Sequence, residues 1–168
     1  MLLHGFLPSL LEGAAVTLGV ALSSLAVAAL LGLAGALAKL SRSRLARGAA
    51  GLYTTLIRGV PDLVLMLLVF YGGQLAVNTV APMLGHEDYI DIDPFVAGVL
   101  TIGFIFGAYL TEAFRGAFLA VPPGQREAGL AFGMSPRQVL WRITLPQMLR
   151  HALPGISNNW LVLVKSTA

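Results

Sequence analysis

The sequence holds no cysteine and very little charge, and each deficit excludes a class of protein. Without cysteine the chain can form no disulfide, no thiolate metal site and no cysteine nucleophile. Charged residues make up 11% of the 168 residues, whereas a soluble domain carries about 25%. A solvated globular surface is therefore excluded, and the hydrophobic content of 57% favours a helical bundle in a membrane.

Long uncharged runs define the candidate spans, since a helix needs about 20 apolar residues to cross the hydrocarbon core. The first run lacks the basic start and cleavage site of a removable signal peptide, so we expect it to stay as a spanning helix. The chain is predicted to form one all-α polytopic membrane domain over residues 1–168. The predicted spans are about 11–38, 61–84, 95–120 and 148–168, with a loop at 122–146.

The loops differ in the sign of their charge. Lys39, Arg42, Arg44 and Arg47 follow the first span without an acidic residue among them, which predicts a cytoplasmic loop and a periplasmic N-terminus. Residues 86–93 carry four acids and one histidine. Their spacing matches no metal loop, so we interpret them as an acidic outer loop, with a docking surface for an extracellular partner as the alternative.

The segment from Arg58 to Asp62 predicts a broken helix. Pro61 removes a helical hydrogen bond and restricts the residue before it, so a helix at 48–58 should end before the second span. A discontinuous helix could form a substrate or gating site. Alternatively, Arg58 and Asp62 form an interfacial ion pair that caps the helix, and an acid at Asp62 is favoured there by the helix dipole.

Small residues and one charge pair mark the helix contacts. Gly32 with Ala36, and Gly103 with Gly107, have the spacing that allows another helix to approach closely. Glu112 lies one turn before Arg115 and could meet a cationic substrate. The nearness of Arg115 favours a structural pair instead.

The loop at 122–146 reads as a helix-turn-helix that a partner protein can grip. Gly133 allows the left-handed turn that ends the first helix, and Ser135 opens the second with a capping box. Small residues at Ala128, Gly129 and Ala131 keep one face thin, so a partner should come close. Pro146 is expected to end or kink the second helix, which could alternatively rest on lipid headgroups.

The last apolar segment carries scattered polar groups. Asn158 and Asn159 can hydrogen-bond inside a bundle, and Lys165 can extend to the far membrane surface. The segment stops at Ala168 without a polar tail, which predicts a truncated chain.

Several of these segments resemble ABC importer permease subunits. Glu127-Ala128-Gly129, then Gly133 after three residues and Ile143-x-Leu145-Pro146 after nine more, is similar to their EAA loop, in which alanine usually stands at Gly129. The segments 53–63, 112–116 and 153–167 resemble the polar amino acid branch. The likeness is greatest to permeases of the histidine and lysine/arginine/ornithine importers, the HisQ type, and Asp62 supports this assignment.

The resemblance implies an ABC type I (MetI-like) fold of five spanning helices in the bacterial inner membrane, so a C-terminal helix should be missing. It implies a second permease subunit, forming a heterodimer or homodimer, two ATP-binding subunits and a periplasmic amino-acid-binding protein. ATP would be used by the ATPase partner, since this chain has no phosphate loop and binds no cofactor or nucleic acid. The implied ATPase-coupling residues are Glu127, Ala128, Gly129, Gly133, Ile143, Leu145 and Pro146. The candidate pathway residues are Arg58, Asp62 and Glu112.

Two other classes remain as alternatives to an importer subunit. A secondary transporter or channel without an ATPase would share the hydropathy and the broken helix, but it would not need the two-helix loop. An intramembrane enzyme is disfavoured because His4, His86 and His151 lie at unrelated depths and no catalytic cluster is present.

Overall fold

The computed structural model describes residues 6–86 and 88–167, and within these ranges the chain is built from helices. They are α1 (Leu7–Leu40), α2 (Arg44–Gly59), α3 (Asp62–Val80) with a 3-10 turn (Ala81–Leu84), α4 (Pro94–Ala120), α5 (Pro123–Ala131), α6 (Pro136–Val139), a π-helical turn (Leu140–Thr144) and α7 (Leu145–Thr167).

Three helices in the described part of the chain are long and apolar enough to cross a membrane: Leu7–Leu40, Asp62–Leu84 and Pro94–Ala120. They cover the first three predicted spans. The helix at the fourth, α7, has 23 residues but carries polar side chains along its length and is not among them. A fourth span therefore stays a prediction, and Met1–Gly5, Glu87 and Ala168 lie outside the described residues.

The centre of the fold is α4, which contacts α1, α2, α3 and α7. Its side chains Ile105, Phe106 and Leu110 are at most 1% exposed. An apolar helix that is enclosed on several sides needs small residues where neighbours cross it, because side chains would otherwise keep the backbones apart.

Glycines allow α1 and α4 to meet closely. A Cβ atom placed on Gly32 would lie 2.6 Å from Leu110 Cβ and 3.0 Å from the Leu110 backbone. On the facing helix, a Cβ atom on Gly103 would lie 2.6 Å from Val27 Cγ1. Ala36 is fully buried. Both small-residue pairs thus form contact faces as predicted.

The break between α2 and α3 falls at Val60-Pro61, where Val60 is extended, so the predicted discontinuous helix is confirmed. The Tyr53 hydroxyl on α2 donates to the Phe104 carbonyl on α4, close to Gly107. Burial raises the pKa of Tyr53 to about 12, so the hydroxyl keeps its proton. This bond fixes α2 beside α4 up to the break.

Two amide side chains of α3 hold the loop that leads to α4. Asn78 accepts from Ile90 N and donates to Ile90 O, both at 2.8 Å. Gln74 donates to Ile90 O at 2.6 Å and accepts from Ile92 N at 3.1 Å. The acidic loop is therefore held against α3 by hydrogen bonds from these two amide side chains to its backbone.

Candidate functional site

The loop at 122–146 begins where α4 ends at Val121-Pro122. Pro123 occupies the first turn of α5, where its missing N–H costs nothing. On this helix Glu127 and Ala128 are exposed, whereas Gly129 is buried. The helix therefore presents Glu127 to solvent and Gly129 to the rest of the chain.

Gly129 faces the chain itself, which corrects the expectation that its small size admits a partner. A Cβ atom at this position would lie 2.7 Å from Ile143 Cδ1 and 3.0 Å from Val139 Cγ2. Val139 is 1% exposed. The second half of the loop thus closes over Gly129, and the exposed surface of α5 lies on the opposite side of the helix.

The turn between the two helices has the predicted geometry. Gly133 has φ +81°, the left-handed region that glycine adopts without strain. Met134 N–H donates to Gly129 O at 3.1 Å, and Gly133 N–H donates to Leu130 O at 3.0 Å. Such bonds satisfy the last carbonyls of α5.

The second helix opens with the predicted capping box. Gln138 N–H donates to Ser135 Oγ at 3.3 Å, and Ser135 N–H donates to Gln138 Oε1 at 2.8 Å. With the Gly133 turn immediately before it, this box fixes the angle between α5 and α6.

Pro146 does not end the second helix, so of the two expected outcomes, an end or a kink, the first is wrong, and the regular helix is instead interrupted by a π-helical turn just before it. The chain passes from α6 through the π-helical turn into α7, and Leu145 N–H donates to Leu140 O, five residues back. Proline has no N–H and crowds the carbonyl four residues before it; the wider turn directly before Pro146 changes this spacing. The loop is therefore continuous with α7, and Leu145 at the junction packs on the core.

The outer surface of the loop is partly apolar. Phe132 is 90% exposed and Trp141 is 70% exposed, and Trp141 is followed directly by Arg142. A separate cleft of about 760 Å³ is bounded by α4, α5 and the second helix and lined in part by Arg126, Glu127 and Leu140. The sequence analysis did not single out these two aromatic residues, although exposed aromatic side chains are enriched at protein interfaces.

A second polar site lies at the break between α2 and α3. Arg58 and Asp62 meet around Tyr109 of α4, a residue that sequence analysis did not identify. The Tyr109 hydroxyl donates to Asp62 Oδ1 at 2.7 Å, and the Arg58 guanidinium carbon lies 5.6 Å from the centre of the Tyr109 ring. The aromatic ring therefore separates the two charges while contacting both.

Glu112 belongs to a different set of contacts. Arg115 Nε donates to Glu112 Oε2 at 2.9 Å, which confirms the predicted pair. Lys39 at the end of α1 also binds the Glu112 carboxylate, and its ammonium donates to Thr54 on α2 at 2.6 Å. One carboxylate thus joins α1, α2 and α4, and two cations neutralise it.

The structure matches one chain in the crystal structure of an amino acid ABC transporter with histidines. The TM-score is 0.77 and the identity is 29%, over 97% of this chain and 71% of that chain. The helix arrangement, with the loop between α4 and α7, is therefore that of a membrane-spanning ABC transporter subunit with an ABC type I (MetI-like) fold.

Residues 30–168 match the family model described as binding-protein-dependent transport system inner membrane component. The chain belongs to this family, as an ABC permease of the HisQ type. It is 59% identical to the histidine/lysine/arginine/ornithine transport system permease HisQ of Salmonella typhimurium, over 99% of this chain and 73% of that protein. The nopaline transport system permease NocQ of Agrobacterium fabrum is 44% identical over 98% of this chain and 70% of that protein. The arginine ABC transporter permease ArtQ of Escherichia coli is 33% identical over 99% and 74%.

Proposed function

We propose that this chain is one permease subunit of an ATP-driven importer for basic amino acids, namely histidine, arginine, lysine and ornithine. It forms half of the translocation pathway, beside a second permease subunit that is homologous or identical. Two ATP-binding subunits supply the energy, and a periplasmic amino-acid-binding protein delivers the substrate. The chain itself binds no nucleotide and catalyses no reaction.

The geometry of the 122–146 loop is the observation that carries this proposal. A two-helix element held at a fixed angle by Gly133 and Ser135, with Glu127 and Phe132 exposed, is suited to a groove on another protein. A secondary transporter or channel has no need of such an element.

Each residue of the loop has a different part in the proposed coupling. Glu127 and Ala128 contact the ATPase, because both are exposed on α5. Gly129, Gly133 and Ile143 shape the element from within. The segment Leu145-Pro146 joins it to α7, so closure of the ATPase on ATP binding moves α4 and α7 together.

The broken helix is the proposed substrate position. Asp62 offers a carboxylate at the start of α3, and Tyr109 holds one of its oxygen atoms by a hydrogen bond. The other oxygen can accept from a cationic side chain or an ammonium group. Arg58, which is exposed, can pair with the substrate carboxylate. Glu112 is already neutralised by two cations, so we assign it to the structure of the pathway wall.

The charge of the loops supports a topology with the 122–146 loop in the cytoplasm. The basic residues after α1 lie at the same end of the bundle as this loop, since Lys39 contacts Glu112 near the end of α4. The acidic loop before α4 lies at the other end. By the positive-inside rule, the basic end is cytoplasmic and the N-terminus is periplasmic.

Reconstitution with its partners tests the proposed function. The complex, purified from membranes and placed in liposomes with the binding protein outside and ATP inside, should accumulate radiolabelled arginine. Unlabelled lysine, ornithine and histidine should compete. Accumulation by a complex that contains no ATPase subunit would refute the proposal and indicate a secondary transporter or channel.

Substitution of Asp62 tests the substrate position separately. Asp62→Asn should weaken uptake of arginine relative to histidine by about tenfold, the effect of losing roughly 1.4 kcal/mol of charge-assisted binding. Asp91→Asn, which removes the same charge from an exposed loop position, should leave the ratio unchanged. An unaltered ratio in both variants would show that Asp62 only caps α3.

A further inference from the structure

Helix α7 has one buried face and two different exposed flanks. The buried face includes Met148, Ala152 and Leu163, each at most 2% exposed. A Cβ atom on Gly155 would lie 3.2 Å from Ala113 Cβ on α4. Asn159 points towards this side and donates one of its amide N–H groups to the Gly155 carbonyl of its own helix at 2.8 Å.

One exposed flank of α7 is apolar. Leu149 and Leu153 are 52% and 58% exposed, and Trp160 and Val164 continue the same side of the helix while partly packed on the core. Such a surface can face lipid.

The other exposed flank is mainly polar, and we call it the polar stripe. Its positions follow one another at alternating steps of four and three residues, which keep to one side of an α-helix. They are Gln147, His151, Pro154, Asn158, Leu161 and Lys165. All are exposed except Gln147, which is half-buried and donates to Gln125 of α5 at 3.5 Å.

Asn158 lies near the middle of the bundle, not at a membrane surface. Helices α4 and α7 are antiparallel, because Thr144, just before α7, lines one cleft with Phe118 near the end of α4, whereas Gly155 lies beside the earlier residue Ala113. Since Gly155 lies beside Ala113, one further turn along α7 is level with Tyr109, and Tyr109 binds Asp62. The exposed amide of Asn158 is therefore at about the depth of the broken helix.

Lipid is a poor environment for such a stripe. A polar side chain in the hydrocarbon core is costly unless water or protein satisfies it. The exposed side chains of α1 show the contrast, since Leu22, Leu30 and Leu37 are each at least 50% exposed and need no partner in lipid. The stripe must therefore face water or another protein.

We infer that the polar stripe lines a water-filled path through the membrane, with Asn158 facing a polar solute at the depth of Asp62. The stripe carries His151, Asn158 and Lys165 but no acidic residue, so a helix packed along it would have to supply complementary groups at three separate levels. Water satisfies all of them at once. The stripe also runs from the 122–146 loop to the opposite end of α7. A path across the membrane has to extend over this whole length, whereas a local helix contact does not. This inference rests on the proposed role of the chain as half of a pathway.

Labelling of single cysteines tests the inference, because the chain has no cysteine of its own. Asn158→Cys on the stripe is compared with Leu153→Cys on the apolar flank, in the assembled complex with cysteine-free partner subunits in liposomes. A charged thiol reagent that reacts with hydrated thiolate should modify the cysteine of Asn158→Cys at least about tenfold faster than that of Leu153→Cys. Arginine delivered by the binding protein should slow the reaction.

Equal or slower modification of Asn158→Cys than of Leu153→Cys would overturn the inference and indicate a stripe buried against another helix. If Asn158→Cys fails to assemble, Leu161→Cys takes its place, because Leu161 is on the same stripe and is 60% exposed, so a smaller side chain leaves no buried cavity. Denatured samples of each variant should react fully. ATP-driven uptake by the cysteine-free parent tests the proposed function independently of labelling. If the parent takes up arginine but Asn158→Cys is not labelled, the inference about the polar stripe is rejected and the proposed function stands.

Discussion

The contact between α1 and α4 and the contact within the 122–146 loop both depend on a glycine, but they differ in what lies opposite it. At Gly32 the nearest atoms include the backbone of Leu110 and Thr111, at 3.0 and 3.2 Å from a built Cβ. At Gly129 they are the tips of the Ile143, Val139 and Met134 side chains. A backbone cannot yield without moving a whole helix, whereas a side-chain tip can rotate. The membrane contact is therefore rigid and the loop contact adaptable.

This difference fits a subunit that transmits movement. If α4 is held rigidly against α1, a force on α5 moves the helices as a unit and is not lost in deformation of α4. In the proposed function the loop has to fit the ATPase in more than one state, and a glycine covered by side chains leaves room for adjustment. Four substitutions test the comparison, in order of decreasing expected effect.

Gly32→Val should disrupt the rigid contact most severely. Overpacking of a well-packed core costs about 1–3 kcal/mol, and more where backbone must move, so we expect at least about 3 kcal/mol. Thermal unfolding of the purified complex in detergent should occur at a clearly lower temperature. Gly13→Val on the same helix is the control, because nothing lies within 4 Å of a Cβ there. Equal effects of both variants would contradict the close contact.

Glu112→Gln should weaken the same rigid region through its charges. The neutral amide leaves Lys39 and Arg115 without their carboxylate, and loss of one partner of a polar contact costs about 1–3 kcal/mol. Because these side chains retain 17% to 38% exposure, we expect the lower half of this range. Asp88→Gln, in the exposed outer loop, should not change the unfolding temperature. Normal stability of Glu112→Gln combined with altered substrate selectivity would instead indicate that Glu112 contacts the substrate.

Gly133→Val should affect the loop without affecting the bundle. A left-handed conformation costs an L-residue about 1–2 kcal/mol, and a β-branched side chain resists it further. The complex should assemble, but ATP hydrolysis should no longer drive uptake. Gly124→Val in α5 has no positive φ and no atom within 4 Å of a Cβ, and it should retain more coupled uptake. Full coupling in Gly133→Val would refute the importance of the turn.

The turn at Gly133, the cap at Ser135 and the break before Asp62 were predictable because each depends on a few consecutive residues with restricted backbone geometry. The pair of Glu112 and Arg115 was predictable for the same reason, since one helical turn brings them together. The contacts of Lys39 with Glu112 and of Tyr109 with Asp62 join residues 73 and 47 positions apart. No local pattern predicts such contacts, because they depend on how α1, α3 and α4 pack.

The surface that packs against Gly129 was also not predictable. A helix face of small residues gives the same sequence pattern whether a partner protein or another part of the same chain packs against it. Only the continuation of α6 into α7 places Val139 and Ile143 over it. The same continuation explains why Pro146 does not end the helix, since a π-helical turn is set by packing and not by a local sequence signal.

Gly129→Ala should have the smallest effect and gives the sharpest test of the adaptable contact. The added methyl would lie 2.7 Å from Ile143 Cδ1, a side-chain tip that can turn away, while alanine favours the helix by about 1 kcal/mol over glycine. The two effects oppose each other, so the unfolding temperature and coupled uptake should change little. Ile143→Val removes the Cδ1 atom, so Gly129→Ala should be more favourable in the Ile143→Val background than in the parent. That interaction energy in a double-mutant cycle, about 0.5–3 kcal/mol for residues in contact, should be absent for Gly129→Ala with Leu149→Ala. Strict additivity with Ile143→Val would show that position 129 faces the partner protein after all.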